Sequence, residues 1–194
     1  VDVLLGLLVP QEGEINYNGE PLVESLDKWR SQVAYLPQEV FLIDNTLRHN
    51  VALGVDYNSI DDLRVQEALE QACLLELVNQ LPNKMNTLLG ERGVRLSGGQ
   101  RQRVALARAF YHGRNVLVMD EATSAMDSKL EKSIFEAIPN FSFSNLVCIT
   151  HSTNMLKAFD TIYIFNNGSI EDSGTYEALK QRNGFLLSLL KEKE

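Results

Sequence analysis

Leu96-Ser97-Gly98-Gly99-Gln100-Arg101-Gln102-Arg103, followed after an Ala-rich segment by Asn115-Val116-Leu117-Val118-Met119-Asp120-Glu121, is the part of this chain that decides its fold. A serine and two adjacent glycines open a helical stretch, Gln100–Tyr111. They leave free backbone N–H groups, the positive end of a helix dipole and a hydroxyl directed at one spot, which suits a phosphate. The apolar run Val116–Met119 reads as a strand, and it ends in two carboxylates. A phosphate cradle and a strand-end carboxylate pair on one chain point to nucleotide chemistry.

Outward from this stretch, strands and helices alternate. A helix over Ser128–Ala137 is expected after the acidic pair, then strands over Leu146–Thr150 and Thr161–Phe165. Ser169–Glu171 pairs with the latter across Asn167-Gly168, and a last helix covers Tyr176–Leu190. On the N-terminal side, Gln32–Leu36 is a short strand ending at Pro37-Gln38, and Asn18-Gly19 marks a hairpin within Glu14–Glu20. Val1–Leu8 reads as the tail of a buried helix stopped before Pro10. Ser59 with Asp62 has the spacing of a capping box. It opens one helix with Leu63, Leu69, Cys73 and Leu77 on its apolar face, ending near Leu81-Pro82. The alternation predicts an α/β fold, a three-layer parallel sheet core. Residues 37–111, rich in helix, are expected to form an inserted helical subdomain together with the helix after Gly98-Gly99, and 1–36 and 112–194 the α/β core.

Composition bounds the function. The chain has 194 residues with 44% hydrophobic content, which argues for a packed core rather than disorder. A net charge of −8 argues against nucleic acid as a partner. Yet Arg92–Arg114 holds six arginines and no acidic residue, and beside Gly98-Gly99 this cluster reads as a local anion site. Cys73 and Cys148 read as buried, reduced thiols, implying a cytosolic setting. No apolar run approaches the ~20 residues of a membrane span, and Val1–Pro10 lacks the basic start of a signal peptide.

The ordered set of motifs resembles the nucleotide-binding domain of an ATP-binding cassette (ABC) transporter. Leu96–Gln100 resembles the signature loop and Val116–Glu121 the Walker B strand with the catalytic glutamate. Ser124-Ala125-Met126-Asp127 resembles the D-loop, with Met where Leu is usual. Gln38 falls at the Q-loop position and His151 at the switch-histidine position. Tyr35–Gln38 with Thr46–Val51, Gly90-Glu91-Arg92-Gly93 and Gly174–Glu177 are similar to segments of exporters.

The resemblance implies ATP and Mg²⁺ as cofactors. Asp120 would hold the metal with Gln38, Glu121 would be the general base, and His151 would bond the γ-phosphate or the attacking water. Ser97, Gly98, Gly99 and Gln100 would touch nucleotide held by a second nucleotide-binding domain, and Asp127 would bond across that dimer or cap the helix after it. It further implies a transmembrane domain on the same parent chain, a place at the cytoplasmic face of a membrane, and export of a substrate class that admits lipids and lipid-linked molecules.

The family's phosphate loop, G-x-x-x-x-G-K-[ST], is not present: none of the 12 glycines is followed by lysine. The resemblance sets Val1–Leu8 just after that loop, so an N-terminal truncation and an inactive isolated fragment are expected. Two other readings stand beside the exporter. A chromosome- or repair-type ATPase would need a long coiled coil where Gln38–Leu96 shows only an ordinary helix. A degenerate cassette that completes a partner's ATP site agrees with the absent loop but not with Glu121 and His151.

Overall fold

The computed structural model describes residues 1–90, 96–123, 126–138, 143–153, 155–184 and 186. These fall into two compact units, Val1–Ile149 and Thr150–Glu194. Gly90-Glu91-Arg92-Gly93 beyond Gly90, Ser124-Ala125 of the D-loop, and Leu187–Leu190 of the expected last helix lie outside the described residues. No helix among the described residues is long and apolar enough to cross a membrane.

The first unit opens with turns where a helix is expected. Gly6 has φ +67°, a left-handed conformation that ends helical winding. The carbonyls of Leu4 and Gly6 accept instead from Trp29 Nε1 at 2.8 Å and Arg30 Nη2 at 2.7 Å. Only Leu5 of this segment is buried, packing with Val116 and Val118 beside Trp29 and Tyr35. Next comes the expected hairpin, β1 (Asn16–Tyr17) and β2 (Glu20–Pro21). Asn18 and Gly19 both have positive φ, 54° and 85°, as a tight turn matched to strand twist requires. Helix α1 (Leu26–Gln32) then leads into β3 (Val33–Leu36).

Between β3 and the signature helix lie α2 (Leu47–Val51), α3 (Asp62–Gln71) and α4 (Leu75–Gln80). Two details differ from the sequence reading. The cap of α3 is Asp61, whose Oδ1 accepts from Leu63 and Arg64 N–H at 3.0 and 3.2 Å, and Ser59 ends a short 3₁₀ turn. Ile60 and Val65, flanking that cap, are both buried, the arrangement of a hydrophobic staple.

The expected single helix is also two. Leu74 N–H donates to Leu69 O and Cys73 N–H to Glu70 O, both at 2.9 Å, with Cys73 at φ +56°. This is a Schellman ending with cysteine at the position glycine usually takes. Cys73 is therefore exposed rather than buried. Leu63 is likewise 74% exposed, because Val65, Ala68 and Leu69 form the buried stripe of α3.

Helix α5 (Gly98–His112) is the longest among the described residues of the unit; its Val104, Leu106 and Ala107 are buried, and the helix packs against α2, α3 and β3. Gly113 at φ +59° ends it, and β4 (Val116–Asp120) follows. Helix α6 (Ser128–Ala137) and β5 (Asn145–Ile149) complete the unit. The sheet runs β3-β4-β5 and is parallel throughout. Val116–Met119 is buried along its length, as a central strand covered on both faces must be. The fold class is thus α/β with a parallel sheet, as the alternation predicts. Val147 and Ile149 on β5 remain 39% and 37% exposed.

The second unit contains β6 (Ile162–Asn166) and β7 (Ser169–Gly174), an antiparallel pair across Asn167-Gly168, and α7 (Tyr176–Arg182). Ile164, Leu179 and Leu186 form its core.

Candidate nucleotide site

The parallel pairing of β3 with β4 sets Leu36 opposite Met119, so Pro37-Gln38 and Asp120-Glu121 emerge at one end of the sheet. Carboxyl ends of parallel strands are where α/β folds place ligands. Gln38 Nε2 donates to Glu121 Oε2 at 3.0 Å. Two residues 83 positions apart in sequence are therefore joined by their side chains. Glu121 adopts φ +49°, a conformation disfavoured for a residue with a Cβ, and its N–H donates to Ile149 O at 2.9 Å. That bond ties the strained residue to the end of β5.

Tyr35, to which the sequence reading gives no role, belongs to this site. Its hydroxyl donates to Asp120 Oδ2 at 3.2 Å. Burial, and next the Asp120 charge, raise the Tyr35 phenol above its ordinary value, so it stays a neutral donor. The signal was in the register. Tyr35 pairs with Val118, Val118 and Asp120 share a face, and a phenol is long enough to reach one residue pair further.

Ser97 and Gln100 close a capping box at the start of α5. Ser97 Oγ accepts from Gln100 N–H at 3.2 Å, and Gln100 Oε1 accepts from Ser97 N–H at 2.8 Å. Gly98 and Gly99 lie in the first turn, which holds no acidic residue, so the positive helix end is not neutralised there.

The arginines of this region do not gather as an anion site among the described residues. Arg101 donates to Leu96 O, Arg103 to Cys73 O at 2.6 Å, and Arg108 to Asn50 O at 3.0 Å and Phe41 O at 3.3 Å, while Arg114 reaches Ser31 O. They are ties from α5 and its C-terminal end to loop carbonyls, which is what partly buried guanidinium groups beside orphan acceptors do. Arg92 and Arg95 lie outside the described residues.

Asp127 caps α6, its Oδ1 accepting from Lys129 and Leu130 N–H at 3.0 and 2.9 Å. His151 is exposed, follows β5 and Thr150, and belongs to the second unit. The structure therefore brings together Tyr35, Gln38, Asp120 and Glu121. Ser97–Gln100 and Asp127 stand at the starts of two separate helices.

The donor set suits a hydrated Mg²⁺. No group of three His, Cys, Asp or Glu side chains that could hold a metal occurs among the described residues. Mg²⁺ rarely asks for such a cage, taking one or two protein oxygens plus phosphates and water. The Asp120 carboxylate is fixed by Tyr35, and the Gln38 amide, donating through nitrogen to Glu121, presents its oxygen. Those are two hard oxygen donors, one from a carboxylate and one from an amide, beside a second carboxylate, Glu121.

A family model described as "ABC transporter" matches residues 1–124. The chain is 38% identical over 192 residues to an ATP-dependent lipid A-core flippase of Ralstonia nicotianae, covering 97% of this chain and 32% of that protein. It is 34% identical over 183 residues to the lactococcin-G-processing and transport ATP-binding protein LagD of Lactococcus lactis subsp. lactis, covering 93% and 26%. A solved structure of a bacterial Atm1-family ABC exporter with ATP bound superposes with a TM-score of 0.92 at 28% identity, covering 99% of this chain and 34% of that one. The chain thus spans about a third of the length of these relatives or less. With the sheet, the paired Gln38 and Glu121, the capped glycine turn and the family model all in agreement, the chain belongs to the ABC transporter family.

Proposed function

We propose that this chain is the ATP-binding and ATP-hydrolysing part of an exporter, working as one of two cassettes beneath a transmembrane domain at the cytoplasmic face of a membrane. The observation that carries the reading is the Gln38–Glu121 hydrogen bond of 3.0 Å at the ends of adjacent parallel strands. It places an amide and a carboxylate where one water can touch both. Glu121 accepts the proton of the water that attacks the γ-phosphate, and Gln38 orients that water. Asp120, held by Tyr35, and the Gln38 amide oxygen would hold Mg²⁺, which when bound neutralises charge on the phosphate oxygens. His151 bonds the γ-phosphate or the same water. Ser97, Gly98, Gly99 and Gln100 contact the nucleotide held by the second cassette, their helix end facing its negative charge, and Asp127 bonds across the dimer. A lipid or lipid-linked molecule is the proposed cargo, in keeping with the relatives named as lipid A-core flippases.

Glu121→Gln in the full transporter tests this reading. The amide keeps the shape but cannot accept the proton, so turnover falls about 10²–10⁴-fold while ATP binding persists. Wild-type turnover in that variant would sink the role of Glu121 as base.

A further inference from the structure

The β4–α6 loop carries Glu121 at one end and Asp127 at the other, and a buried contact fastens it between them. Thr123, 6% exposed, donates from Oγ1 to Glu131 Oε1 at 2.8 Å, and Glu131 is itself 5% exposed. Glu131 occupies the apolar face of α6, in line with the buried Ile134, Phe135 and Ile138. An aliphatic side chain would fill that position without the cost of desolvating a carboxylate. What the carboxylate adds is a strong acceptor for the Thr123 hydroxyl.

The backbone around it converges on the same point. Met126 N–H donates to Thr123 O at 3.0 Å and Glu131 N–H to Asp127 O at 2.9 Å. One turn of α6 therefore holds both the cap, Asp127, and the anchor, Glu131. On the neighbouring strand, burial and next the Glu131 charge push the Cys148 thiol up to about 12, so that neighbour stays a neutral thiol.

We propose that Glu131 is a positioning residue for ATP hydrolysis: by holding Thr123 it fixes the loop that places Glu121 in the site and Asp127 at the start of α6. The proposal rests on the reading of Glu121 as the general base. Glu131 touches no reacting atom in it and acts through Thr123.

The test is steady-state ATP hydrolysis by the full transporter across a series of ATP concentrations, normalised to the number of ATP-binding sites. Thr123→Val and Glu131→Ala should each lower kcat about 10- to 100-fold, the loss a displacement of about 1 Å can cause. KM for ATP should stay within about threefold, since binding contacts are untouched. Glu131→Gln should keep at least about half the wild-type kcat, because its amide oxygen accepts the same hydroxyl hydrogen. The double variant should fall no further than the worse single one, because both remove one interaction.

Wild-type kcat in both Thr123→Val and Glu131→Ala would overturn the proposal. So would a loss in Glu131→Gln as deep as in Glu131→Ala. Should Glu131→Ala fail to fold, Thr123→Val, which keeps the side-chain volume, carries the test. Glu121→Gln run in parallel distinguishes the two failures. An inactive Glu121→Gln beside fully active Thr123→Val and Glu131→Ala overturns the positioning role alone. A fully active Glu121→Gln overturns the reading of Glu121 and the positioning role with it.

Discussion

At the scale of single residues, the site is a set of polar side chains each given one orientation by a neighbour. Gln38 is turned by Glu121, Asp120 by Tyr35, and Ser97 by Gln100. Partners of a metal-holding carboxylate tune the site even though they touch no metal. Tyr35→Phe should therefore raise the Mg²⁺ concentration needed for half-maximal ATP turnover by about 10-fold, with little change in turnover at saturating Mg²⁺. A Mg²⁺ titration of the full transporter reads this directly. An unchanged midpoint would mean that the 3.2 Å bond to Asp120 has no bearing on the metal. Tyr35 sits inside a stretch the sequence singles out, yet its role depends on which residue of β4 stands opposite, and only the pairing register supplies that.

At the scale of elements, α5 and the segment after Gln38 are sewn together. Asn50 on α2 is fully buried. Its amide donates to Ile43 O at 3.0 Å and Thr46 O at 3.1 Å, and its carbonyl oxygen accepts from Ile43 N–H at 2.9 Å. Arg108 then reaches from α5 to Asn50 O and Phe41 O. Asn50→Ala removes all three bonds, but Ile43 O and Thr46 O still accept from the N–H groups of Asn45 and Asn50, so the main cost, about 1–3 kcal/mol, falls on the Ile43 N–H that loses its acceptor. The expected loss is about 2 kcal/mol in chemical denaturation, and a loss below about 1 kcal/mol would show that water or another group replaces the amide. The helix starts at Ser97 and Asp127 were legible from sequence, because caps follow local rules. The division of the expected helix into α3 and α4 was not. Cysteine in a left-handed turn position has no local signature, and it is tolerated here because the two Schellman hydrogen bonds around it are made.

At the scale of the molecule, two units carry separate reporters. The single tryptophan, Trp29, lies in the first unit and bonds Leu4 O. In the second, Asp172 joins β7 to α7 by accepting from Arg182 at 2.7 and 3.2 Å. The Arg182 guanidinium, chiefly by hydrogen bonding, lowers the Asp172 carboxyl from 3.8 to about 2. A depressed folded-state value means that this contribution to stability is fully present above pH ~4 and is lost as pH falls toward about 2. Amide-exchange protection in β6, β7 and α7 should therefore weaken over that window in the wild type. Asp172→Asn should flatten that change while leaving the Trp29 fluorescence transition in place. Equal pH dependence of protection in both proteins would remove Asp172 as its cause.

By itself the sequence determined the α/β class, the strands Val116–Met119 and Leu146–Ile149, the hairpins at Asn18-Gly19 and Asn167-Gly168, and the family resemblance. All of these depend on periodicity, turn chemistry or short motifs that act over a few residues. The tertiary structure alone decided that Gln38 meets Glu121, that Tyr35 holds Asp120, that Thr123 is anchored by Glu131, and that Arg101, Arg103, Arg108 and Arg114 reach backbone carbonyls. It also turned Val1–Leu8 into turns, because the side chains of Trp29 and Arg30 take carbonyls that a helix would have used. These outcomes depend on residues far apart in the chain competing for the same polar groups. That competition is settled only when strand register and burial have set which donors and acceptors face one another.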